Sequence, residues 1–311
     1  MSWVAVALSA YFLLAIANLL DKFLVDNVIR NSRAYAFIAC LLSALVFLAA
    51  PWFLQWPGLG LFLFNILIGA IFAVALWMLY ESLRRGEASR VLVFIGGATP
   101  VFSVFFSTLF FKETYSYSQW AGIVTLLIGI FVIAFLPVER SFLARVSSKL
   151  GLTGKTGAGG LIAALISALA YSLYFVLSKQ AYLSQPFFSA FIWTRLGSLI
   201  FVLFFLFIRA DRLAIRNLFQ RSGPKRGKLL VILNQGLGSA GFILQNYAVF
   251  LGSVALVNAL QGAQYAFLLV ISAGLAIVKP KLLKESFSWR IIFQKLAAVM
   301  VIGLGLYFIT L

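Results

Sequence analysis

Ten long apolar runs separated by short polar connections dominate this chain of 311 residues. About 20 mainly apolar residues suffice for a helix to cross a bilayer, and a helix in lipid satisfies its own backbone hydrogen bonds. A β-barrel would instead require short alternating strands. The sequence therefore predicts an all-α polytopic membrane protein with ten transmembrane helices. The runs cover approximately 2–21, 34–54, 59–81, 88–111, 117–137, 158–179, 186–208, 228–250, 253–278 and 289–310.

The composition excludes a water-soluble globule and gives no support for catalysis. Hydrophobic residues make up 63% of the chain and charged residues 11%, whereas an ordinary soluble domain carries about 25% charged residues. The single cysteine, Cys40, cannot form a disulfide framework, and histidine is absent. The commonest metal ligand and general base are therefore missing, and no P-loop occurs. We predict no enzyme activity, no metal site and no cofactor.

The basic residues predict the orientation of the chain. Lys and Arg number 25 against 8 Asp and Glu, a net charge of +17. Counted with the adjoining helix ends, the connections after runs 1, 3, 5, 7 and 9 hold 21 of them, and those after runs 4 and 6 hold 2. Basic loops stay in the cytoplasm, so this pattern predicts a plasma-membrane protein with both termini outside. Lipid headgroups account for these cations, and nucleic acid is not predicted as a partner.

The two halves of the chain resemble each other. Phe111–Ser116 ahead of run 5 echoes Leu283–Ser288 ahead of run 10, and Tyr80 echoes Tyr247. The loop charges invert between the halves, as an odd number of helices per repeat requires. Two inverted five-helix repeats are a transporter architecture, with the substrate site where the repeats meet. The predicted division is a first repeat over 1–137, a cytoplasmic linker over 138–157 and a second repeat over 158–311.

Short motifs in the first half carry a family resemblance. They are Gly86–Val91, the mid-helix Thr99–Pro100, the pair Lys112–Glu113, and Gln119 followed by Gly122 and Gly129. With these motifs the sequence resembles the EamA domain of the drug/metabolite transporter superfamily, as two tandem domains over essentially the whole chain. The resemblance implies a ten-helix secondary transporter, commonly an exporter of amino acids, metabolites or drugs. It also implies a cavity lined by the first four helices of each repeat.

The sequence departs from this family in two respects. Well-known ten-helix relatives resemble one another in keeping both termini cytoplasmic, whereas the loop charges here predict both outside. Related small multidrug resistance proteins carry a glutamate within the first helix, and this chain has Tyr11–Leu14 there. Proton-coupled exchange through that glutamate therefore does not carry over.

Arg195 is the clearest functional candidate inside an apolar run. At 1.5 Å per residue it lies roughly 13 Å from the outer end of its helix, too deep to reach water comfortably. Ionisable groups at such depth are costly, and a guanidinium offers a planar fork to a carboxylate or phosphate. Arg195 is therefore predicted to face the bundle interior and bind an anionic substrate group. A structural arginine bonded to carbonyls or to a carboxylate is the alternative.

Uncharged polar residues form stripes on runs 8 and 9. Amides that faced lipid would lose their hydrogen bonds to water, so these stripes predict a wet cavity. Hydrogen bonding between helices is the alternative for the amides, and packing or interfacial anchoring is the alternative for the aromatic candidates. The predicted substrate-binding residues besides Arg195 are Gln235, Gln245, Asn246, Asn258, Gln261, Tyr265, Trp77 and Tyr171.

Small and helix-breaking residues predict helix contacts and a hinge. Gly96, Gly97 and Pro100 weaken run 4 near its middle, so a kink is expected there. A small residue recurs every four positions on run 6, which predicts a close helix crossing. These residues are Gly160, Ala164, Ala168 and Ser172.

Four acidic residues are interpreted as structural. Arg84 and Arg85 follow Glu81 at helical spacing and are expected to neutralise it. Asp21 is expected at the interfacial end of run 1. Glu113 recurs in the second half as Glu285, which points to capping or to pairing with the neighbouring lysine.

These observations predict a secondary transporter that exports small polar metabolites such as amino acids by alternating access. A flippase or transporter of phosphorylated or lipid-linked substrates is the alternative, with Arg195 bound to phosphate. A purely structural scaffold would require the polar stripes to be buried contacts between helices. A coupling ion such as a proton is left open.

Overall fold

The computed structural model describes residues 3–27, 31–85, 88–134, 158–220 and 225–278, with isolated positions between 297 and 308. Every regular element in these ranges is helical, as predicted. The first half contains α1 (Trp3–Asn27), α2 (Ser32–Ser43), α3 (Ala50–Phe53), α4 (Leu59–Arg85), α5 (Ala88–Phe111) and α6 (Tyr117–Ala134). The second half contains α7 (Ala158–Ser184), α8 (Phe187–Leu203), α9 (Arg209–Gln220), α10 (Lys225–Leu251), α11 (Val254–Ala259) and α12 (Gln261–Val278).

The long helices have the character of membrane spans. Large apolar side chains such as Leu48, Phe105 and Leu109 are exposed on their outer faces, while Asn65 and Arg195 are buried. This inversion of the soluble pattern, together with helix length, identifies an integral membrane protein. Five described segments are long and apolar enough to cross a bilayer: Ser32–Phe53, Leu59–Arg85, Phe94–Phe111, Gly159–Ser184 and Phe187–Phe207. The total of ten spans and the inverted repeat stay predictions, because the 138–157 linker and most of run 10 lie outside the described residues.

Three elements differ from the sequence-based expectation. The helix α1 continues to Asn27, a turn and a half beyond the predicted end of run 1. The connection after run 7 contains α9, whose arginines Arg209, Arg212 and Arg216 are exposed while Ile215 is buried. The sequence predicts only a polar connection here, because the charges of this amphipathic helix mask its apolar face. Run 9 is interrupted at Leu260, which separates α11 from α12.

The two halves of the chain interlock in the described bundle. The helix α4 packs along α7 and α8, α1 packs along α10 and α12, and α5 packs along α7. The tightest crossing joins Gly69 of α4 to Gly197 of α8. A Cβ atom at Gly69 would overlap the Thr194 carbonyl oxygen, and one at Gly197 would overlap the backbone of Ile66. Only glycine permits this approach, because the obstructing atoms are backbone.

The small-residue face of α7 forms the crossing that the sequence predicted. Gly160, Ala164, Ala168 and Ser172 are all buried. Hydroxyls complete the contact with α4: Ser82 Oγ donates to the Gly160 carbonyl and Ser167 Oγ to the Ala75 carbonyl, each at 2.9 Å. Close backbones joined by hydroxyl hydrogen bonds are the usual way in which helices associate in lipid.

Candidate functional site

Arg195 occupies the centre of the interlocked bundle. Its side chain on α8 is 1% exposed. One Nη atom donates to the Tyr174 hydroxyl at 2.7 Å. The guanidinium carbon lies 4.1 Å from the ring centroid of Phe72, 4.7 Å from that of Phe191 and 5.2 Å from that of Phe242. Aromatic faces attract cations, so this cage compensates part of the desolvation of Arg195.

No carboxylate contacts Arg195 among the residues that the structure describes. The three ion pairs found there join Arg33 to Asp211, and Arg84 and Arg85 to Glu81. The Nε atom of Arg195 is buried without a hydrogen-bond partner. Buried charges in proteins are normally paired, so a buried guanidinium with an unused donor is receptive to an anion.

A tyrosine and amide network fixes the partner of Arg195. The hydroxyls of Tyr174 and Tyr182 donate to Asn246 Oδ1 at 2.8 and 2.9 Å. Asn246 Nδ2 in turn donates to the Phe242 carbonyl at 2.9 Å. Because Tyr174 gives its proton to Asn246, its oxygen is free to accept from Arg195. Asn246, a predicted substrate residue, thus positions Tyr174 in this structure.

Asp21 lies inside α1, not at its end. Tyr35 Oη donates to Asp21 Oδ1 at 2.5 Å, and Asn234 Nδ2 donates to the same oxygen at 2.7 Å. Gln235 Nε2 reaches the Tyr35 hydroxyl at 3.3 Å. The helix continues for six residues beyond Asp21, and residues of α2 and α10 bind the carboxylate, so its interfacial role stays a prediction.

Tyr171 on α7, a predicted substrate-binding residue, lies beside the aromatic cage of Arg195. Its ring lies 6.3 Å from that of Phe72, which covers Arg195. Tyr171 is half-buried and therefore borders the Arg195 site without closing it completely.

The interruption between α11 and α12 exposes a backbone carbonyl to a side chain. Tyr11 Oη of α1 donates to the Val257 carbonyl at 2.7 Å, and Gln245 Nε2 reaches the Tyr11 hydroxyl at 3.3 Å. In a continuous helix this carbonyl would accept from the Gln261 amide. Broken helices of this kind place backbone groups beside substrate cavities in transporters.

Asn258 joins the same interruption to the first half of the chain. Its Nδ2 donates to Ser103 Oγ at 2.8 Å, and Ser103 shares a 3.1 Å hydrogen bond with Ser172. Its Oδ1 is buried without a partner. Gln245 and Asn258 therefore make interhelical contacts, the alternative that the sequence left open, and Asn258 keeps one unused acceptor.

Comparison with known proteins supplies the family. Residues 1–135 match the EamA-like transporter family. The matched segment is somewhat less than half of the chain and lies in its first half. This confirms the resemblance to the drug/metabolite transporter superfamily. A curated relative, the uncharacterized transporter YdfC of Bacillus subtilis (strain 168), is 25% identical over 121 residues, which span 39% of this chain and 34% of the relative.

A solved protein crystal structure extends the fold comparison over both halves. It has a TM-score of 0.64 at 15% sequence identity and covers 97% of this chain and 93% of its own. At this identity the match shows a shared fold. The EamA-like first half and the second half thus lie within one known overall arrangement.

Other predicted residues make different contacts or stay untested. Trp77 packs on Arg33, whose guanidinium carbon is 4.7 Å from the Trp77 ring centroid. Gln261 is half-buried at the start of α12, and the Tyr265 side chain lies outside the described residues. Gly96, Gly97 and Pro100 lie within α5, and their hinge role stays a prediction.

Glu81 and Glu113, which the sequence analysis interprets as structural, contact other residues of the fold. Glu81 accepts from Arg84 at 2.6 Å and from Arg85 at 2.5 Å, as predicted. Glu113 accepts from Ser253 at 2.6 Å and from Tyr115 at 2.7 Å. Ser253 is the N-cap of α11, so Glu113 joins two connections of the fold. Burial and the hydrogen bond to Glu113 raise the pKa of Tyr115.

The sequence interpretation missed the tyrosines that organise the Arg195 site. A signal was available, because Tyr174, Ser178 and Tyr182 recur every four residues and therefore share one face of α7. The pattern alone does not identify a site, because aromatic residues in membrane helices most often anchor at the interface.

Proposed function

We propose that this protein is a secondary transporter that exports small polar metabolites carrying a carboxylate, with amino acids as the leading class. The observation that carries the proposal is Arg195, a buried cation with an unused Nε donor and no carboxylate partner among the described residues. The family match and the curated relative point to transport rather than catalysis.

The charges of the interior fit a zwitterion. A substrate carboxylate would pair with Arg195, whose fork geometry suits two oxygens and whose apolar cage strengthens the attraction by excluding water. A substrate ammonium would be drawn toward Asp21, the half-buried carboxylate that Tyr35 and Asn234 hold inside the bundle. Burial of the substrate between the two charges would replace water on both ends of the molecule.

Alternating access is proposed to arise from two inverted five-helix repeats that form ten spans, with both termini outside. The interlocking of the halves supports this arrangement, since the substrate region lies where helices of both halves meet. The interruption at Leu260 supplies a backbone that can rearrange, because Tyr11 holds the Val257 carbonyl through a single side-chain hydrogen bond. Export and the plasma membrane rest on the family resemblance and on the loop charges.

A thermal-shift screen of the purified protein in detergent tests the proposal. The ligands are amino acids, amino-acid amides, sugars, phosphate esters and lipophilic cations, and the proteins are the parent, Arg195→Gln and Arg195→Lys. Ligands that bind the native state raise its melting temperature by mass action. We expect amino acids to stabilise the parent, their amides to stabilise it less, and Arg195→Gln to lose the effect.

Either of two outcomes would overturn the proposal. In the first, Arg195→Gln melts earlier but keeps the full ligand-dependent shift, which would make Arg195 structural. In the second, phosphate esters alone stabilise the parent, which would favour the predicted alternative of a phosphorylated substrate. Arg195→Lys keeps the positive charge but removes the planar guanidinium. It therefore separates the effect of guanidinium geometry from the effect of charge.

A further inference from the structure

A cavity of about 570 Å³ lies at the end of α4 where α2, α7 and α9 meet. Its lining includes Arg33, Arg84 and Arg85, together with Glu81, Asp211 and Trp77. Three cations against two anions give it a net positive charge. The loop charges predict that this end of the bundle faces the cytoplasm.

Glu81 and Asp211 hold the three arginines but do not occupy all of the arginine N–H donors. Glu81 accepts from Nε and one Nη of Arg84 and from Nε of Arg85. Asp211 accepts from one Nη of Arg33 at 2.9 Å. Each guanidinium has five N–H donors, so Nη groups remain available on all three side chains. The arginines are thus oriented in advance, which lowers the entropic cost of binding a further anion.

Every oxygen of the two carboxylates already accepts at least one hydrogen bond. Glu81 also accepts from Ser32 at 2.5 Å, and Asp211 also accepts from Asn31 at 3.4 Å. An incoming anion therefore meets the free Nη donors rather than unpaired carboxylate oxygens. Several donors converging from different side chains suit the tetrahedral oxygens of phosphate better than a planar carboxylate.

One wall of the cavity is apolar and faces outward. Ile162 and Ile166 of α7 line it and are exposed on a membrane-spanning segment. The cavity therefore opens onto the surface that lipid covers. Trp77 lines the same cavity and packs on Arg33, so it helps to hold this arginine in place.

We propose that this cavity binds a phosphate group, as carried by the headgroup of an anionic phospholipid or by a soluble phosphate ester. The site is separate from Arg195 and does not depend on the proposed transport function. The apolar wall favours the lipid as the source, with its acyl chains against Ile162 and Ile166.

Binding of dioleoylphosphatidylglycerol to the detergent-purified protein, measured by native mass spectrometry and by thermal shift, tests the proposal. Dioleoylphosphatidylcholine is the lipid control, and glycerol 3-phosphate is the soluble probe. The variants are Arg84→Gln and Arg85→Gln, in each of which Glu81 keeps the other arginine. Arg212→Gln on α9 is the matched control, because it removes an exposed arginine that does not line the cavity.

We expect the anionic lipid to bind the parent and Arg212→Gln equally, and to bind Arg84→Gln and Arg85→Gln roughly tenfold more weakly, since each loses charged hydrogen bonds to phosphate. Stabilisation by the lipid but not by glycerol 3-phosphate identifies a headgroup site, and stabilisation by both identifies a general phosphate site. The proposal is overturned if neither probe binds, or if Arg212→Gln weakens binding as much as the cavity variants do.

Discussion

The arginines at the centre of the bundle and at the end of α4 have opposite environments. Arg84 and Arg85 are nearly half exposed, and both pair with Glu81. Arg195 is almost completely buried, is caged by aromatic rings and lacks a carboxylate partner among the described residues. Arg84 and Arg85 therefore have a counter-ion within the protein, whereas a substrate carboxylate is proposed to supply the counter-ion of Arg195.

Replacing Arg195 is expected to have the largest effect on transport. In proteoliposomes loaded with an amino acid that stabilises the parent, Arg195→Gln should slow exchange about 30-fold or more, as expected for loss of one partner of a buried charge pair. Arg84→Gln should leave the exchange rate near that of the parent. An equal fall in exchange rate in the two variants would show that the two arginine environments do not differ in their importance for transport.

The glycine crossing is expected to have the largest effect on stability. Gly69→Ala forces a Cβ into the Thr194 backbone and should lower the unfolding free energy by about 1–3 kcal/mol or prevent folding. Gly60→Ala on the same helix meets nothing within 4 Å and is the matched control. Thermal melting in detergent measures both variants, and similar melting temperatures would show that α4 and α8 do not cross so closely.

Asn246→Leu should weaken ligand binding without removing the charge of Arg195. Tyr174 and Tyr182 would lose their common acceptor, so Tyr174 would no longer be held under the guanidinium. We expect the dissociation constant to rise about tenfold, comparable to the loss of one or two buried hydrogen bonds. Gln245→Leu is the neighbouring control, since that amide bonds to Tyr11 instead. A larger loss in the control would place the binding site nearer the helix interruption.

Glu81→Gln is expected to have the smallest effect. Its arginines are 45% and 47% exposed, and such ion pairs contribute about 0–1 kcal/mol. The melting temperature should fall slightly and the ligand-dependent shift should persist. Disappearance of that shift would contradict the structural role assigned to Glu81.

The sequence alone predicts both the ion pairs of Arg84 and Arg85 and the burial of Arg195. The Glu81 pairs and the small-residue face of α7 depend on residues three or four positions apart, so helical periodicity alone predicts them. The burial of Arg195 follows from its depth in an apolar run. These features are local, or they follow from the bilayer acting as solvent.

The remaining parts of the site depend on contacts between distant segments. Asn246 meets Tyr174 because α10 packs against α7, and no local pattern reports that contact. The interruption at Leu260 lies between Asn258 and Gln261, whose spacing also fits one continuous helix, so periodicity does not mark it. Asp21 likewise accepts hydrogen bonds from Tyr35 of α2 and Asn234 of α10, which no local sequence pattern predicts.

The most direct test of the central claim is a cycle of four dissociation constants. A stabilising amino acid and its amide, which lacks the negative charge, are each measured by isothermal titration calorimetry on the parent and on Arg195→Gln. If Arg195 binds the substrate carboxylate, the amide should bind the parent at least about tenfold more weakly than the acid, and the two ligands should bind Arg195→Gln almost equally. The same acid-to-amide ratio in both proteins would show that Arg195 does not contact the carboxylate.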